Sequence, residues 1–112
     1  MPTINGRKCR SLVQARTPFK SHGAIYGRKC GPYGYAVFSY GEHWPLFVWD
    51  GHAWFENTDR YSVTTSKHRG YTHPHVETQP RTCEDLIRSV AQLEQQEGVP
   101  EAFKDAIPAW GR

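Results

Sequence analysis

Residues 33–57 restrict the fold more than any other stretch, because three runs of apolar and aromatic residues alternate there with two turn sequences. In the first run, over 33–40, successive side chains of an extended strand point to opposite faces. This alternation puts Tyr35 and Val37 on one face and Ala36 and Phe38 on the other. Rings therefore occur on both faces, and the pattern predicts a β-strand.

The two turn sequences connect this run to two further strands. Residues 41–44 read as a turn, and Pro45 begins the next strand at a position where its missing N–H is tolerated. Asp50-Gly51 is typical of a tight hairpin, because these residues accept the positive φ angles that it requires. The returning run, 53–56, brings Trp54 close to Trp49. The stretch 33–57 is thus predicted to be a three-stranded antiparallel meander.

A helix is predicted over 82–97. Thr82 is a suitable N-cap, and the acidic residues that follow it favour the positive end of the helix dipole. Gly98 ends the helix, and Pro100 begins a short second helix over 100–106, with Trp110 holding the tail. An apolar stripe at helical spacing predicts that the first helix covers the sheet; it consists of Cys83, Leu86, Ile87, Val90 and Leu93.

These elements define the predicted fold class. We expect one α+β domain over 1–112, in which a small antiparallel sheet of three to five strands packs against one C-terminal amphipathic helix, followed by a short terminal helix. Glycines and prolines punctuate residues 1–32, which favours extended pieces and turns over a helix. Residues 58–80 are predicted to be a polar segment and a loop.

Charge is distributed unevenly along the chain, whose formal net charge is +3. Residues 1–41 contain no acid, whereas seven acids and only four cations occur from Glu77 onward. The basic end favours a polyanionic partner. Its cations are Arg7, Lys8, Arg10, Arg16, Lys20, Arg28 and Lys29.

Part of the basic end forms a near-repeat, Gly-Arg-Lys-Cys, at 6–9 and 27–30. If the two copies lie on neighbouring strands, the arginines share faces with the cysteines and the lysines lie opposite. One interpretation is a paired basic patch. The other is coincidence in a segment rich in lysine and arginine.

The cysteines point to a reducing compartment. An odd count of three, with no apolar core of a signal peptide behind the basic start, predicts reduced thiols and a soluble cytoplasmic protein. No run approaches the ~20 apolar residues of a membrane span. Cys9, His22 and Cys30 lack the paired short spacing of a zinc site, so we expect no metal and no cofactor.

A polar segment after Asn57 combines hydroxyl groups with cations. Thr58 or Asp59 can cap a short helix, the Thr/Ser run disfavours a long one, and 70–75 reads as a loop. One interpretation is a site for phosphate oxygens, and the other is a solvated loop whose hydroxyls satisfy its own backbone. The candidate anion-binding residues are Arg60, Tyr61, Ser62, Thr64, Thr65, Ser66, Lys67, His68 and Arg69.

Residues 35–69 also carry two strings, Tyr-Gly-Glu-His-Trp-Pro at 40–45 and Asn-Thr-Asp-Arg-Tyr-Ser-Val-Thr-Thr-Ser-Lys-His at 57–68. This third of the chain resembles a family of small proteins of unknown function that bacteriophages and plasmids encode. The resemblance implies an origin in a mobile element, and hence the cytoplasm of a host cell. It implies no activity.

Together these observations predict a non-enzymatic protein that binds nucleic acid or a host nucleoprotein complex. Arg7, Lys8, Arg10, Arg28 and Lys29 would supply salt-dependent affinity, and 60–69 would orient the ligand. The aromatic hairpins are interpreted as scaffold. Neither a small-molecule ligand nor a membrane is indicated.

Two other functions stay open. A metal-independent ribonuclease or phosphodiesterase needs a base, an acid and a cation, which His43, His68 and Lys67 can supply. A protein inhibitor of a host defence system needs only a compact basic surface that fits an acidic partner or a nucleic-acid groove.

Overall fold

The computed structural model describes residues 3–5, 8–21, 23–59 and 63–95, which are organised around a seven-stranded sheet. The strands lie in the sheet in chain order, and three helices accompany them in this part of the chain. The strands are β1 (Thr3–Ile4), β2 (Phe19–Ser21), β3 (Ile25–Cys30), β4 (Gly34–Ser39), β5 (Pro45–Trp49), β6 (Trp54–Asn57) and β7 (Thr78–Arg81). The helices are α1 (Arg10–Gln14), α2 (Val63–Thr72) and α3 (Cys83–Gln95).

The meander predicted from 33–57 is confirmed as β4, β5 and β6, which pair antiparallel. Trp49 pairs with Trp54 across the predicted hairpin, and their ring centroids lie 5.6 Å apart. Gly51 has φ of 102°, and Asp50 Oδ1 accepts hydrogen bonds from the backbone N–H groups of His52 and Ala53, at 2.8 and 2.9 Å. The predicted turn is confirmed, but only Gly51 supplies a positive φ, and Asp50 contributes as a hydrogen-bond acceptor instead.

The sheet is larger than predicted, and it is mixed. β2 and β3 extend the antiparallel meander, while β1 pairs parallel with β2 and β7 pairs parallel with β6. β1 spans two residues and β7 reads Thr-Gln-Pro-Arg, so neither carries the alternation from which strands are recognised. Both lie at sheet edges, where Pro80 and exposed polar side chains are tolerated.

Helix α3 covers one face of the sheet, as its apolar stripe predicts. Thr82 Oγ1 accepts from the N–H of Asp85 at 3.1 Å, which confirms the N-cap. Ile87 departs from the predicted stripe, since 40% of its surface is exposed. Residues 96–98, the predicted helix over 100–106 and Trp110 lie outside the described residues. The core on this face contains Cys30, Ala36, Phe38, Val48, Leu86, Val90 and Leu93.

Helices α1 and α2 lie on the opposite face. The core beneath them contains Cys9, Val13, Phe19, Ile25, Tyr35, Val37, Leu46, Phe47 and Trp54. Tyr35 and Val37 belong to this core, whereas Ala36 and Phe38 belong to the core under α3, so the predicted alternation of β4 is confirmed. No helix in the described part of the chain has the length and apolar character of a membrane span.

Helix α1 occupies a region where no helix is predicted. It has only five residues and lacks a side-chain N-cap, so local sequence offers little signal for it, and burial of Val13 holds it on the sheet. The two copies of the near-repeat consequently do not lie on neighbouring strands. Cys9 precedes α1, while Cys30 ends β3, and the two thiols are buried in cores on opposite faces.

Helix α2 extends further than predicted, because residues 70–72, expected to form a loop, make its last turn. Threonines and Gly70 lower intrinsic helix propensity. Burial offsets this preference, because Thr72 is completely buried and Tyr71 packs on the core beneath.

Candidate nucleic-acid interface

Arg10, predicted to contact an anion, connects α1 to the end of α2. Its Nε donates to the carbonyl of His73 at 2.7 Å and its Nη2 to the carbonyl of Gly70 at 2.6 Å. Gln14, one turn later, donates to the carbonyl of Pro74 at 2.9 Å. The last carbonyls of a helix have no partner within it, so these side chains supply a C-terminal cap from another segment.

Arg28 is also engaged within the protein. Its guanidinium group binds the carboxylate of Glu42, donates to Glu94 Oε1 at 2.8 Å and lies over the ring of Phe38 at 5.2 Å. The hydrogen bond from Arg28 is the main cause that lowers the pKa of Glu42. Arg28 and Cys30 point to the α3 face, which agrees with the alternation predicted for this copy of the repeat.

Arg69 connects α2 to the sheet. Its Nη1 donates to the carbonyl of Asn57 at 2.7 Å, and its Nε lies 3.7 Å from Glu56 Oε2. Glu56 also accepts from Thr78 Oγ1 at 2.7 Å and contacts His73 Nε2 at 3.1 Å. The guanidinium group therefore stabilises the packing of α2 against β6.

The start of the polar segment, residues 57–59, forms a junction between several elements. Asn57 is buried, donates from Nδ2 to the carbonyl of Pro45 at 2.7 Å and accepts from the N–H of Asp59 at 2.8 Å. Asp59 Oδ2 in turn accepts from the N–H of Cys83 at the start of α3, at 2.9 Å. Thr58 bonds the carbonyl of Arg81 at the end of β7. These residues of the Asn-Thr-Asp string thus hold the fold together.

Three predicted lysines remain exposed. Lys8 precedes α1, Lys67 lies on α2, and Lys29 lies on β3, where its Nζ is 6.0 Å from the centroid of the Tyr35 ring. None of them forms an ion pair with another described residue. The remaining predicted groups lie outside the described residues: Arg7, Arg60, Tyr61, Ser62 and the side chains of Thr64, Thr65 and Ser66.

His68 of the candidate catalytic group is half-buried against β4. Its Nδ1 lies 2.8 Å from Ser39 Oγ, and its ring lies 5.5 Å from that of Tyr40, which has φ of 64°. Burial lowers the pKa of His68, so the imidazole is neutral at neutral pH. Lys67 is its exposed neighbour, and His43 lies exposed in the turn that follows Tyr40.

An aromatic row lies at one end of the sheet, among the hairpin rings that the sequence predicts to be scaffold, and no local pattern indicates it. Tyr35, Trp49 and Trp54 lie in register on neighbouring strands, on the α1 and α2 face. Lys29 pairs with Tyr35 at one end of this row. At Trp49, the Cζ atom of Arg16 lies 4.6 Å from the ring centroid. The hairpin signal locates the two tryptophans, but nothing local predicts that Arg16 stacks on one of them.

A groove of about 620 Å³ opens beside the aromatic row, within the usual size range of small-ligand sites. Trp54 is buried with 5% of its surface exposed, whereas Trp49 is only half-buried and contributes to the groove wall together with Arg16, which stacks on its ring. Arg16 reaches it from the turn after α1, where its φ is 51°. The residues that line it include Gln14, Arg16, Trp49, His52, Trp54 and Glu77.

Comparisons of the chain with protein-family models, with curated proteins and with solved structures find no match.

Proposed function

We propose that this protein binds single-stranded nucleic acid, alone or within a host nucleoprotein complex, and does so without catalysing a reaction. The observation that carries the proposal is the half-buried Trp49 with Arg16 stacked on it, in a row whose other rings, Tyr35 and Trp54, are buried and which has the exposed Lys29 at one end. Rings and guanidinium planes stack bases of any sequence, while cations along the same surface bind the phosphates.

The phosphate contacts are assigned to Lys8, Lys29 and Lys67. All three lysines are exposed. Lys8 directly precedes α1, and Lys67 lies on α2. Lys29 lies on β3 and pairs with Tyr35, which belongs to the core under these helices. By contrast, the donors of Arg10, Arg28 and Arg69 are taken up by backbone carbonyls and carboxylates within the fold. We therefore assign those arginines a structural role.

The test is the salt dependence of binding to a labelled single-stranded oligonucleotide. Replacing Lys8, Lys29 and Lys67 by alanine together should weaken binding and reduce the slope against salt by about 0.7 for each phosphate that the protein no longer neutralises. A matched control replaces Lys20, Arg81 and Arg88, which removes the same charge. Arg81 stacks on Phe55 and Arg88 lies on α3, both away from the aromatic row.

Equal losses of affinity in the two triple variants would show that binding follows net charge alone and would contradict the assigned face. Absence of binding at every salt concentration would overturn the function itself.

The resemblance to proteins of phages and plasmids extends this proposal. On that ground, we propose that the protein acts in a host cell and inhibits a nucleic-acid-handling defence complex. Capture of host proteins from a lysate, with and without nuclease treatment, tests this extension. A partner retained after nuclease supports a direct protein contact, whereas loss of every partner restricts the function to binding nucleic acid.

A His-based ribonuclease is the second candidate, and the environment of His68 favours it. Burial lowers the pKa of His68 and so favours its neutral form, and its Nδ1 lies 2.8 Å from Ser39 Oγ; the neutral imidazole is the form that acts as a base. Incubation of labelled RNA with the parent protein and with His68→Ala decides the matter. Cleavage that persists in the variant, or is absent from the parent, removes this candidate.

A further inference from the structure

We propose that the groove beside Trp49 holds one unstacked nucleobase of the bound strand and prefers guanine. This inference rests on the proposed function and assigns a site and a base to it. The stacking surface is the first step. Arg16 lies over the half-buried Trp49, 4.6 Å from its ring centroid, so the guanidinium group covers that face of the indole and offers its own outer plane to a flat ligand. A guanidinium plane backed by an indole stacks on bases.

Position is the second step. Trp49 belongs to the aromatic row, in which Tyr35 is its neighbour and Lys29 is the neighbour of Tyr35. Adjacent strands are roughly 5 Å apart, so Lys29 lies about 10 Å from the groove along the row. Tyr35 itself is completely buried, so the row contributes this spacing and not a stacking surface, and the exposed Lys29 lies within reach of the phosphates of a strand whose base is beside Trp49.

Charge provides the base preference. Glu77 lines the groove, is exposed, and has no ion pair with any described residue. A carboxylate only accepts hydrogen bonds, and the Watson–Crick edge of guanine offers two adjacent donors, N1–H and N2–H. Adenine presents an acceptor at N1 and would face the carboxylate unfavourably. His52 lines the same groove and can donate a ring N–H to O6 of guanine.

The groove is tested by titrating the protein with guanosine and adenosine 5′-monophosphates and with oligothymidine strands that contain one central guanine or adenine. Tryptophan fluorescence reports a base that stacks on the pair of Arg16 and Trp49. We expect the guanine ligands to bind about tenfold more tightly than their adenine counterparts. Glu77→Gln should bring the two affinities to within about twofold, whereas Glu84→Gln, an exposed carboxylate on α3, should leave the ratio unchanged.

Arg16→Asn is the companion variant, because asparagine adopts the positive φ of this position more readily than most residues. It should weaken guanine and adenine ligands alike, and thermal unfolding of each variant confirms that the fold is retained.

The outcomes separate the two proposals. Oligonucleotide binding without a guanine preference, or a preference that survives Glu77→Gln, overturns the groove assignment and leaves the proposed function standing. A guanine mononucleotide that binds the groove, with no gain in affinity for a strand, supports the groove and overturns binding of nucleic acid as the function. Failure of every ligand to bind overturns both.

Discussion

The two faces of the sheet are covered in different ways. On one face a single amphipathic helix, α3, buries Leu86, Val90 and Leu93 against the strands. On the other face the shorter α1 and the polar α2 cover the core, and side-chain hydrogen bonds join them to each other and to the sheet. The α3 face is thus held mainly by burial of apolar surface, and the α1 and α2 face adds many polar links.

This difference indicates which face determines the stability of the fold and which face can bind a ligand. A face held by apolar packing loses stability when it is altered, since interiors tolerate few changes of volume. The α1 and α2 face instead leaves lysines exposed and an indole partly uncovered, so binding can be placed there without exposing the core. The two faces should therefore respond differently to substitution, and the following measurements test that contrast.

The largest effect is expected on the α3 face. Leu86 is completely buried, so Leu86→Ala should lower the free energy of unfolding by about 2–5 kcal/mol, because apolar burial is removed and a cavity is left behind. Urea denaturation measures this decrease. Ile87→Ala, one position along and 40% exposed, is the matched control and should cost less than about 1 kcal/mol. Similar decreases at the two positions would contradict the packing of α3.

A smaller effect is expected where α1 meets α2. Arg10→Met retains most of the aliphatic stem but removes the hydrogen bonds to the carbonyls of Gly70 and His73, and should cost about 1–3 kcal/mol. Hydrogen exchange should accelerate in α2 and remain unchanged in α3. Lys8→Met is the control, with an effect within about 0.5 kcal/mol. Equal acceleration in both helices would mean that the faces open together.

The reactivity of the buried thiols of Cys9 and Cys30 allows local opening of the two faces to be compared within one molecule. Burial raises the pKa of Cys9 to about 11 and that of Cys30 to about 11, so both are thiols at about pH 8 and react only after the structure opens. Because Cys9 lies beside the short α1, local opening should expose it before Cys30. Timed alkylation followed by peptide mass spectrometry measures the order. Modification of Cys30 first would reverse the comparison.

The smallest effect concerns pH. Burial lowers the pKa of His68 in the folded state, so on acidification the unfolded chain takes up the proton first. Stability should therefore fall as pH decreases below the ordinary histidine value of about 6.5. His68→Asn, which keeps a polar group near Ser39, should lose less stability between about pH 7.5 and about pH 5.5. Parallel decreases in urea titrations of the two proteins would show that His68 does not contribute.

Local patterns predicted the parts of the fold that depend on neighbours in sequence. The Asp50-Gly51 turn, the pairing of Trp49 with Trp54 and the cap at Thr82 each involve only a few consecutive residues. The full length of α2 and the edge strands could not be predicted in this way. Their stability comes from contacts between distant segments, such as Arg10 with residues 60 or more positions away.

The candidate site likewise has a part that local sequence predicts and a part that depends on contacts between distant segments. The sequence identified Lys8, Lys29 and Lys67 as cations, and their exposure is consistent with binding a phosphate. It could not distinguish them from Arg10 and Arg28, whose partners lie far along the chain. The groove was missed for a similar reason, since Arg16 and Trp49 meet only when the meander and the turn after α1 are in place.

The two edge strands, β1 and β7, each of which pairs parallel with its neighbour, also affect how readily one chain can associate with another. An exposed edge is a template on which another strand can add, and long, flat edges promote aggregation. Here β1 ends one side after two residues, and β7 ends the other with Pro80, which has no N–H to donate. A sheet with such edges offers little backbone for a neighbouring chain to pair with, although five of its strands form a continuous antiparallel ladder.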